Sequence, residues 1–350
     1  MSKTITKIDF GDTIIVKPDT SRLPWVEKYR PKKIDNIISH DVIIRSLKKF
    51  IEKKTLPHLL FFGPSGSGKT STIVCCANEI YGQYFNCMVL QLNASNERGI
   101  ETVRTKIKNF VRGMNSIYLP ENLRNIFKLV ILDEIDSMTF EAQGMLRQTI
   151  EKNSQTSRFC LICNEIDKIN PALQSRCALF RFSPLTQKEI DDRLIEICKE
   201  EKLKYEENAI NSISGISNGD MRTAINLLQS ITLTSDKNVT EDTVYKVSGN
   251  CMPKVTSNIF DRLICLTQNK KPMEIVIEKV TTIVIDNNIL IFHLLDQLKN
   301  ICLEYDFTES QKIYLLDNFA KIEVYDSVNV DIKILIMNIA SLFVLVQNII

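Results

Sequence analysis

Histidine is scarce in this 350-residue chain: His40, His58 and His293 are its three copies, and they lie far apart. A zinc centre built on clustered imidazoles is therefore not expected. Charge of one sign is missing as well. Lys and Arg total 44 against 42 Asp and Glu, a formal net charge of +2. Bulk electrostatics thus points to no polyanion partner, and any nucleic-acid surface must be a local patch. The ten cysteines lack the spacing of a disulfide framework, which fits reduced thiols in an intracellular protein. Cys160 and Cys163 do form a C-x-x-C in RFCLICN, but inside an apolar, strand-like run where burial is expected rather than redox or metal chemistry. The opening MSKTITKIDFGD has no apolar h-region, so no secretory signal is expected. One long apolar run exists, ILIMNIASLFVLVQNII at 334–350. Asn338, Gln347 and Asn348 interrupt it, and it reaches only the short end of a membrane span. A helix buried in a bundle is the expectation there, with no membrane partner.

What the chain does have is the composition of an ordinary globular protein, 44% hydrophobic and 25% charged, with length for two or three domains. Residues 1–22 form a polar leader with weak strand character around Ile14–Val16. From 23 to 184, short apolar runs alternate with helical patterns, the signature of a parallel α/β sheet. The expected strands are HLLFF (58–62), MVLQL (88–92), KLVIL (128–132), FCLIC (159–163) and ALFRF (178–182). Strand signals stop after Pro184. Thr186 with Glu189, and later Thr308 with Gln311, make capping boxes that open helices. Residues 185–249 and 250–350 therefore read as two all-α domains.

GPSGSGKT (63–70) fits G-x-x-x-x-G-K-[ST], directly after a strand and opening a helix. Glycines let backbone N–H groups wrap phosphates, and the helix N-terminus adds a favourable field. The expected nucleotide-binding stretch is Gly63, Pro64, Ser65, Gly66, Ser67, Gly68, Lys69, Thr70 and Ser71, with Lys69 on the β/γ-phosphates and Thr70 holding Mg²⁺. LVILDEIDSM (129–138) supplies the other half: Asp133 at the end of an apolar strand as the second Mg²⁺ contact, then Glu134 to orient and deprotonate water. An acidic loop capping the next helix would suit Asp136 better than Asp133. ATP hydrolysis is the leading chemistry.

RGIETVRTKIKNFVR (98–112) puts Ile100, Val103, Ile107, Phe110 and Val111 on one helical stripe and Arg104, Lys108 and Arg112 on the other face. Alone, such a basic stripe reads equally well as a solvated helix face.

PWVEKYRP (24–31), HLLFFGPSGSGKT (58–70), LNASNERG (92–99), VILDEID (130–136), PALQSRC (171–177) and GDMRTAIN (219–226) follow one another along the chain. In that order they resemble the replication factor C small subunits, AAA+ ATPases of the sliding-clamp loader. The likeness covers residues 22–250 by motif and the remainder by helical pattern. Among the small subunits the chain looks most like subunit 5, through LPWVEKYRP, MVLQLNAS and TSRFCLICN. The resemblance implies an AAA+ domain over 23–184, a helical lid over 185–249 and a collar over 250–350 that joins subunits into a hetero-pentamer. It implies ATP-driven loading of a PCNA-like clamp onto primer–template DNA, in nuclear replication and repair. A branch-migration motor and a static ATP-binding scaffold are the alternatives. PWVEKYRP beside SRC argues against the first, and intact Glu134, Asn164 and Arg222 against the second.

The resemblance also implies residue roles. Val26, Tyr29, Arg30 and Pro31 match the segment packing on adenine, although Trp25 and Tyr29 would serve equally as core anchors. Asn164 matches sensor 1, a polar group feeling the γ-phosphate, and Arg222 in GDMR matches sensor 2. Read alone, they are a strand-end amide and a solvated charge. Arg176 of SRC matches an arginine finger reaching a neighbouring subunit's ATP in trans, where chemistry alone suggests a surface charge; Cys177 beside it is expected to be inert. Arg98 and Arg104 match positions tracking the DNA backbone, and Lys108, on the same basic stripe as Arg104, joins them as a DNA-binding candidate. MLRQTIE (145–151) departs from the family's L-R-R-x-x-E by carrying Gln148.

Overall fold

The computed structural model describes residues 23–53, 55–95, 100–113, 126–235, 237–267, 272–326 and 330–346, with backbone alone for 100–104 and 267. The leader, with its strand expectation at Ile14–Val16, lies outside these residues. The chain divides into two compact units. One comprises residues up to Ile197 plus Ser217–Asn226, the other Cys198–Ile216 plus everything from Leu227.

The first unit is built on β1 (Leu59–Phe62), β2 (Val89–Asn93), β3 (Lys128–Asp133), β4 (Ser157–Cys163) and β5 (Ala178–Arg181). All pair in parallel, in the order β2-β3-β4-β1-β5. These are the five expected runs, shifted by one or two residues at their ends. The central strands are continuously apolar because both faces are covered. Alternate residues serve alternate faces. Leu59, Phe61, Leu129, Ile131, Cys160 and Ile162 join one core, Leu60, Val130, Leu132, Phe159, Leu161 and Cys163 the other. This alternation settles the C-x-x-C. An offset of three along a strand sends its two sulfurs to opposite faces, and burial pushes the Cys163 thiol up to about 12.

The helices here are α1 (Trp25–Lys28), α2 (Asp41–Glu52), α3 (Lys69–Tyr81), α4 (Phe85–Met88), α5 (Ile100–Arg112), α6 (Phe140–Lys152) and α7 (Pro171–Gln174). Helix α2 presents Ile43, Ile44 and Leu47, and α3 presents Ile73, Cys76 and Ala77, to the first core. Helices α5, α6 and α7 cover the other face with Ile107, Leu146, Ile150 and Leu173. Thr139 caps α6 by accepting from the Ala142 N–H at 3.3 Å, and Asn170 caps α7 from Ala172 at 2.9 Å. Two further helices, α8 (Gln187–Glu200) and α10 (Met221–Thr234), begin in this unit and end in the second. The expected box opens α8: the Thr186 N–H donates to Glu189 Oε2 at 2.8 Å, and the Glu189 N–H returns to Thr186 Oγ1 at 3.4 Å.

The second unit holds α9 (Glu207–Ser217), α11 (Glu241–Ser248) and a parallel pair, β6 (Lys204–Tyr205) with β7 (Asn238–Val239). Two-residue strands carry no periodicity, so they leave no pattern to read in the sequence. Five helices follow among the described residues: α12 (Pro253–Thr267), α13 (Met273–Asp286), α14 (Ile291–Glu304), α15 (Glu309–Asp326) and α16 (Ile332–Leu345). They enclose a core containing Leu263, Leu295, Leu298, Phe319 and Phe343. The Thr308–Gln311 box opens α15 as expected. Helix α16 buries Leu335, Ile336, Ile339, Ala340, Leu342 and Phe343, so the apolar run as far as Leu345 is a bundle helix. No helix among the described residues is long and apolar enough to cross a membrane. Ile285, Phe292, Ile313, Val324 and Met337 nevertheless remain exposed.

Candidate active site

Parallel pairing sets the carboxyl ends of β1, β3 and β4 side by side: Phe62 pairs with Cys163, and Leu132 with Leu161. Ligands of open parallel sheets bind at that edge. The loop 63–68 leaves β1 there and delivers Lys69 as the first residue of α3. Gly63 has φ +145°, and a Cβ on it would stand 2.0 Å from the Phe182 carbonyl oxygen. Glycine is required because β5 continues past the loop at that distance; the Phe182 N–H donates to Phe62 O at 2.8 Å. The loop closes on itself through Ser67 Oγ, which donates to Pro64 O at 2.7 Å.

Lys69 is 7% exposed. Its ammonium donates to the Gly63 and Pro64 carbonyls, each at 2.8 Å, and to Asn164 Oδ1 at 3.0 Å. Burial lowers its pKa, partly offset by the Asp133 carboxylate. Thr70 Oγ1 donates to Asp133 Oδ2 at 2.7 Å, and the Glu134 N–H donates to Asp133 Oδ1 at 3.0 Å. Glu134 holds the left-handed conformation, φ 56° and ψ 41°, a backbone state that costs a non-glycine residue about 1–3 kcal/mol and concentrates at functional positions. A hydroxyl and a carboxylate converging in this way are the hard oxygen donors Mg²⁺ takes.

One pocket is lined by Val26, Arg30, Pro31, Ser65 through Ser71, Asp133, Glu134, Asn164 and Arg222. Tyr29 is placed elsewhere. It is 7% exposed, edge-on to Trp25 with ring centroids 6.2 Å apart, and its carbonyl accepts from Arg193 at 2.9 Å. The chain leaves helical geometry at Tyr29, the C-cap of α1, and while Val26 and Arg30 line the pocket, Tyr29 is buried beside Trp25. Gly63 and Pro64 enter as carbonyl partners of Lys69 rather than as lining. Arg176 lies apart from this pocket: its Nη2 is 2.5 Å from Glu151 Oε1, its Nη1 donates to Ala172 O at 2.6 Å, and Arg147 Nε approaches the same carboxylate oxygen at 3.4 Å. Burial pushes the Cys177 thiol up to about 11 despite Arg176, leaving no thiolate for chemistry. On α5, Lys108 is half-buried and Arg112 exposed. Arg98 and the Arg104 side chain lie outside the described residues.

Sequence reasoning missed several participants. Glu27, Ile37, Ile38, Leu185, Met221 and Ile225 also line the pocket; the Ile pair sits in DNIISH, which carries no motif. Asp136, which a helix-capping loop would have suited better than Asp133, accepts from the Asn164 N–H at 2.8 Å and the Glu165 N–H at 3.2 Å. Gln143, fully buried, donates to Met138 O at 3.2 Å and Lys168 O at 3.0 Å and accepts from Asn170 at 2.7 Å. Asp220 accepts from the Arg222 N–H at 2.8 Å. An Asp directly before a helix was a readable N-cap signal.

A family model described as "ATPase family associated with various cellular activities (AAA)" matches residues 59–185, and one described as "RFC1-like, AAA+ ATPase lid domain" matches 187–246. A replication factor C small subunit of Acanthamoeba polyphaga mimivirus is 63% identical over 344 residues, covering 98% of this chain and 100% of that protein. Replication factor C subunit 5 of Homo sapiens is 40% identical over 329 residues, covering 94% and 93%. Among solved structures, the RuvB Holliday junction branch migration motor of Thermotoga maritima matches with a TM-score of 0.50 at 20% identity, covering 66% of this chain and 79% of that one. At that identity the likeness concerns the fold alone.

Proposed function

This chain belongs to the replication factor C small subunits, and we propose that it is one ATPase subunit of a hetero-oligomeric loader that sets a ring-shaped sliding clamp on primer–template DNA. The observation that carries the reading is identity of 63% along essentially the whole chain to a replication factor C small subunit, joined to a pocket that gathers Lys69, Thr70, Asp133, Glu134, Asn164 and Arg222. Neither likeness names a branch-migration motor above fold level, and nothing favours a static scaffold.

In this reading adenine packs among Val26, Pro31, Ile37 and Ile38, and Arg30 braces the phosphate-loop helix through Ser71, 3.4 Å away. Lys69 exchanges its two loop carbonyls for phosphate oxygens, whose charge favours the ammonium that burial disfavours. Thr70 and Asp133 hold Mg²⁺, which supplies charge neutralisation on the phosphates. Glu134 takes the proton of the attacking water, while Asn164 and Arg222 orient the γ-phosphate from two sides. Arg176 completes a neighbouring subunit's site. A cation so placed is worth roughly 10³–10⁵ in rate, which makes turnover conditional on assembly. Residues 185–249 act as the lid and 250–350 as the collar, where exposed Phe292 and Ile313 suit burial between subunits. Arg98, Arg104 and Lys108 meet the DNA backbone without reading sequence. The workplace is where the template is replicated, in a nucleated cell the nucleus.

The test is the native mass of the assembly purified through this chain, with and without ATP. A hetero-oligomer of sister ATPase subunits that retains a clamp ring in ATP is expected. A monomer, or a homomeric ring without a clamp, contradicts the reading.

A further inference from the structure

Asp220 sits immediately before α10, and its carboxylate serves two elements at once. Oδ1 accepts from the backbone N–H groups of Arg222 at 2.8 Å and Thr223 at 3.2 Å, capping the helix that carries Arg222. Oδ2 accepts from the Ser65 hydroxyl in the phosphate loop at 2.6 Å. Contact with that loop is close. Gly66 has φ +63°, and a Cβ there would fall 1.8 Å from Asp220 Oδ1 and 2.3 Å from its carboxyl carbon. Ser65, Gly66, Met221 and Arg222 all line the pocket. A fixed negative charge therefore touches the loop whose N–H groups are arranged for an anion, and the same side chain sets where the arginine helix begins.

We infer that Asp220 is a positioning residue that ties the Arg222 helix to the phosphate loop through Ser65, and that its charge holds down the affinity for polyphosphate. The inference rests on the pocket being the ATP site with Arg222 beside the phosphates. It gives the residue a double effect. Removing the charge while keeping the cap should tighten nucleotides in proportion to their phosphates. Removing the Ser65 link while keeping the charge should loosen the geometry of Arg222 instead.

Calorimetric titration of the full-length chain with ATP, ADP and adenosine separates these effects, beside steady-state ATPase of the assembled loader. Asp220→Asn retains an acceptor for the cap. It should bind ATP about tenfold more tightly, leave adenosine unchanged, and lose the gain as salt screens the charge. Ser65→Ala should leave ATP affinity within about twofold and lower kcat of the assembled loader about tenfold with little change in KM, as a misplaced transition-state group does. An Asp220→Asn chain binding ATP no more tightly than the unaltered chain, or a Ser65→Ala loader turning over at the unaltered rate, would overturn the inference while the ATP site stood. An unaltered chain that ignores ATP would overturn both.

Discussion

Replacing Asp136 by alanine removes its carboxylate and orphans the two backbone donors that share Oδ2, Asn164 at 2.8 Å and Glu165 at 3.2 Å. A hydrogen bond to a charged group is worth about 1.5–3 kcal/mol when desolvated. Asp136 is only half-buried, which brings the pair to about 1–2 kcal/mol in total. In a unit of this size that lowers Tm by about 3–6 °C. The chemical loss should be larger than the thermal one. Asn164 Oδ1 stands 3.0 Å from Lys69 Nζ, and a shift of about 1 Å in a positioning group costs roughly 10²-fold in turnover. Asp136→Asn, which keeps one acceptor, should recover most of both. Melting curves run beside DNA-stimulated ATPase of the assembled loader give the two numbers together. An alanine variant that melts lower yet turns over within about twofold of the unaltered loader would refute the claim that Asp136 acts through Asn164.

Other consequences can be measured independently. Burial, aided by Arg158, pushes His58 down from 6.5 to about 4. The unfolded chain binds a proton near 6.5 that the folded chain refuses until about 4, so this stability is complete above 6.5 and drains as pH falls toward 4. Its ceiling is about 3 kcal/mol, nearer 1–2 after solvent screening. His58→Asn keeps an acceptor for the Phe159 N–H, and should flatten the fall of urea midpoints across that window; an unchanged slope contradicts it. Gly63→Ala drives a Cβ to 2.0 Å from the Phe182 carbonyl, a main-chain clash no rotamer relieves, and should cost more than about 3 kcal/mol by chemical denaturation. Gln148 is exposed on α6. Gln148→Arg should tighten DNA binding and steepen its salt dependence by about one counterion; unchanged salt dependence takes DNA contact away from that position.

The sheet was legible because a parallel strand covered on both faces must be an unbroken apolar run, and HLLFF, KLVIL and FCLIC are such runs. The phosphate loop was legible because its glycines answer a backbone requirement that sequence states directly. Three kinds of feature were hidden. Two-residue strands such as β6 and β7 have no period to detect. The four-residue α1 ends at Lys28, so no helical period shows from sequence whether Tyr29 shares the pocket with Val26 and Arg30. Residues acting on backbone far along the chain, Asp136 on Asn164 and Gln143 on Lys168 and Asn170, leave no local pattern, because their partners lie more than twenty positions away. Asp220 had a visible role as a cap, but its contact with Ser65 spans 155 positions and needed the fold.

The proposed role of Arg176, a cation lent to a neighbouring subunit's site, is open to direct measurement. Single-turnover phosphate release should be followed in an assembled loader whose other sites are silenced by substituting their catalytic glutamates, with and without Arg176→Ala. A fall of roughly 10³–10⁵ at the neighbouring site that Arg176 is proposed to complete is predicted, with the isolated chain nearly inactive. An isolated chain hydrolysing ATP at the assembled rate, indifferent to loss of that arginine, would contradict it.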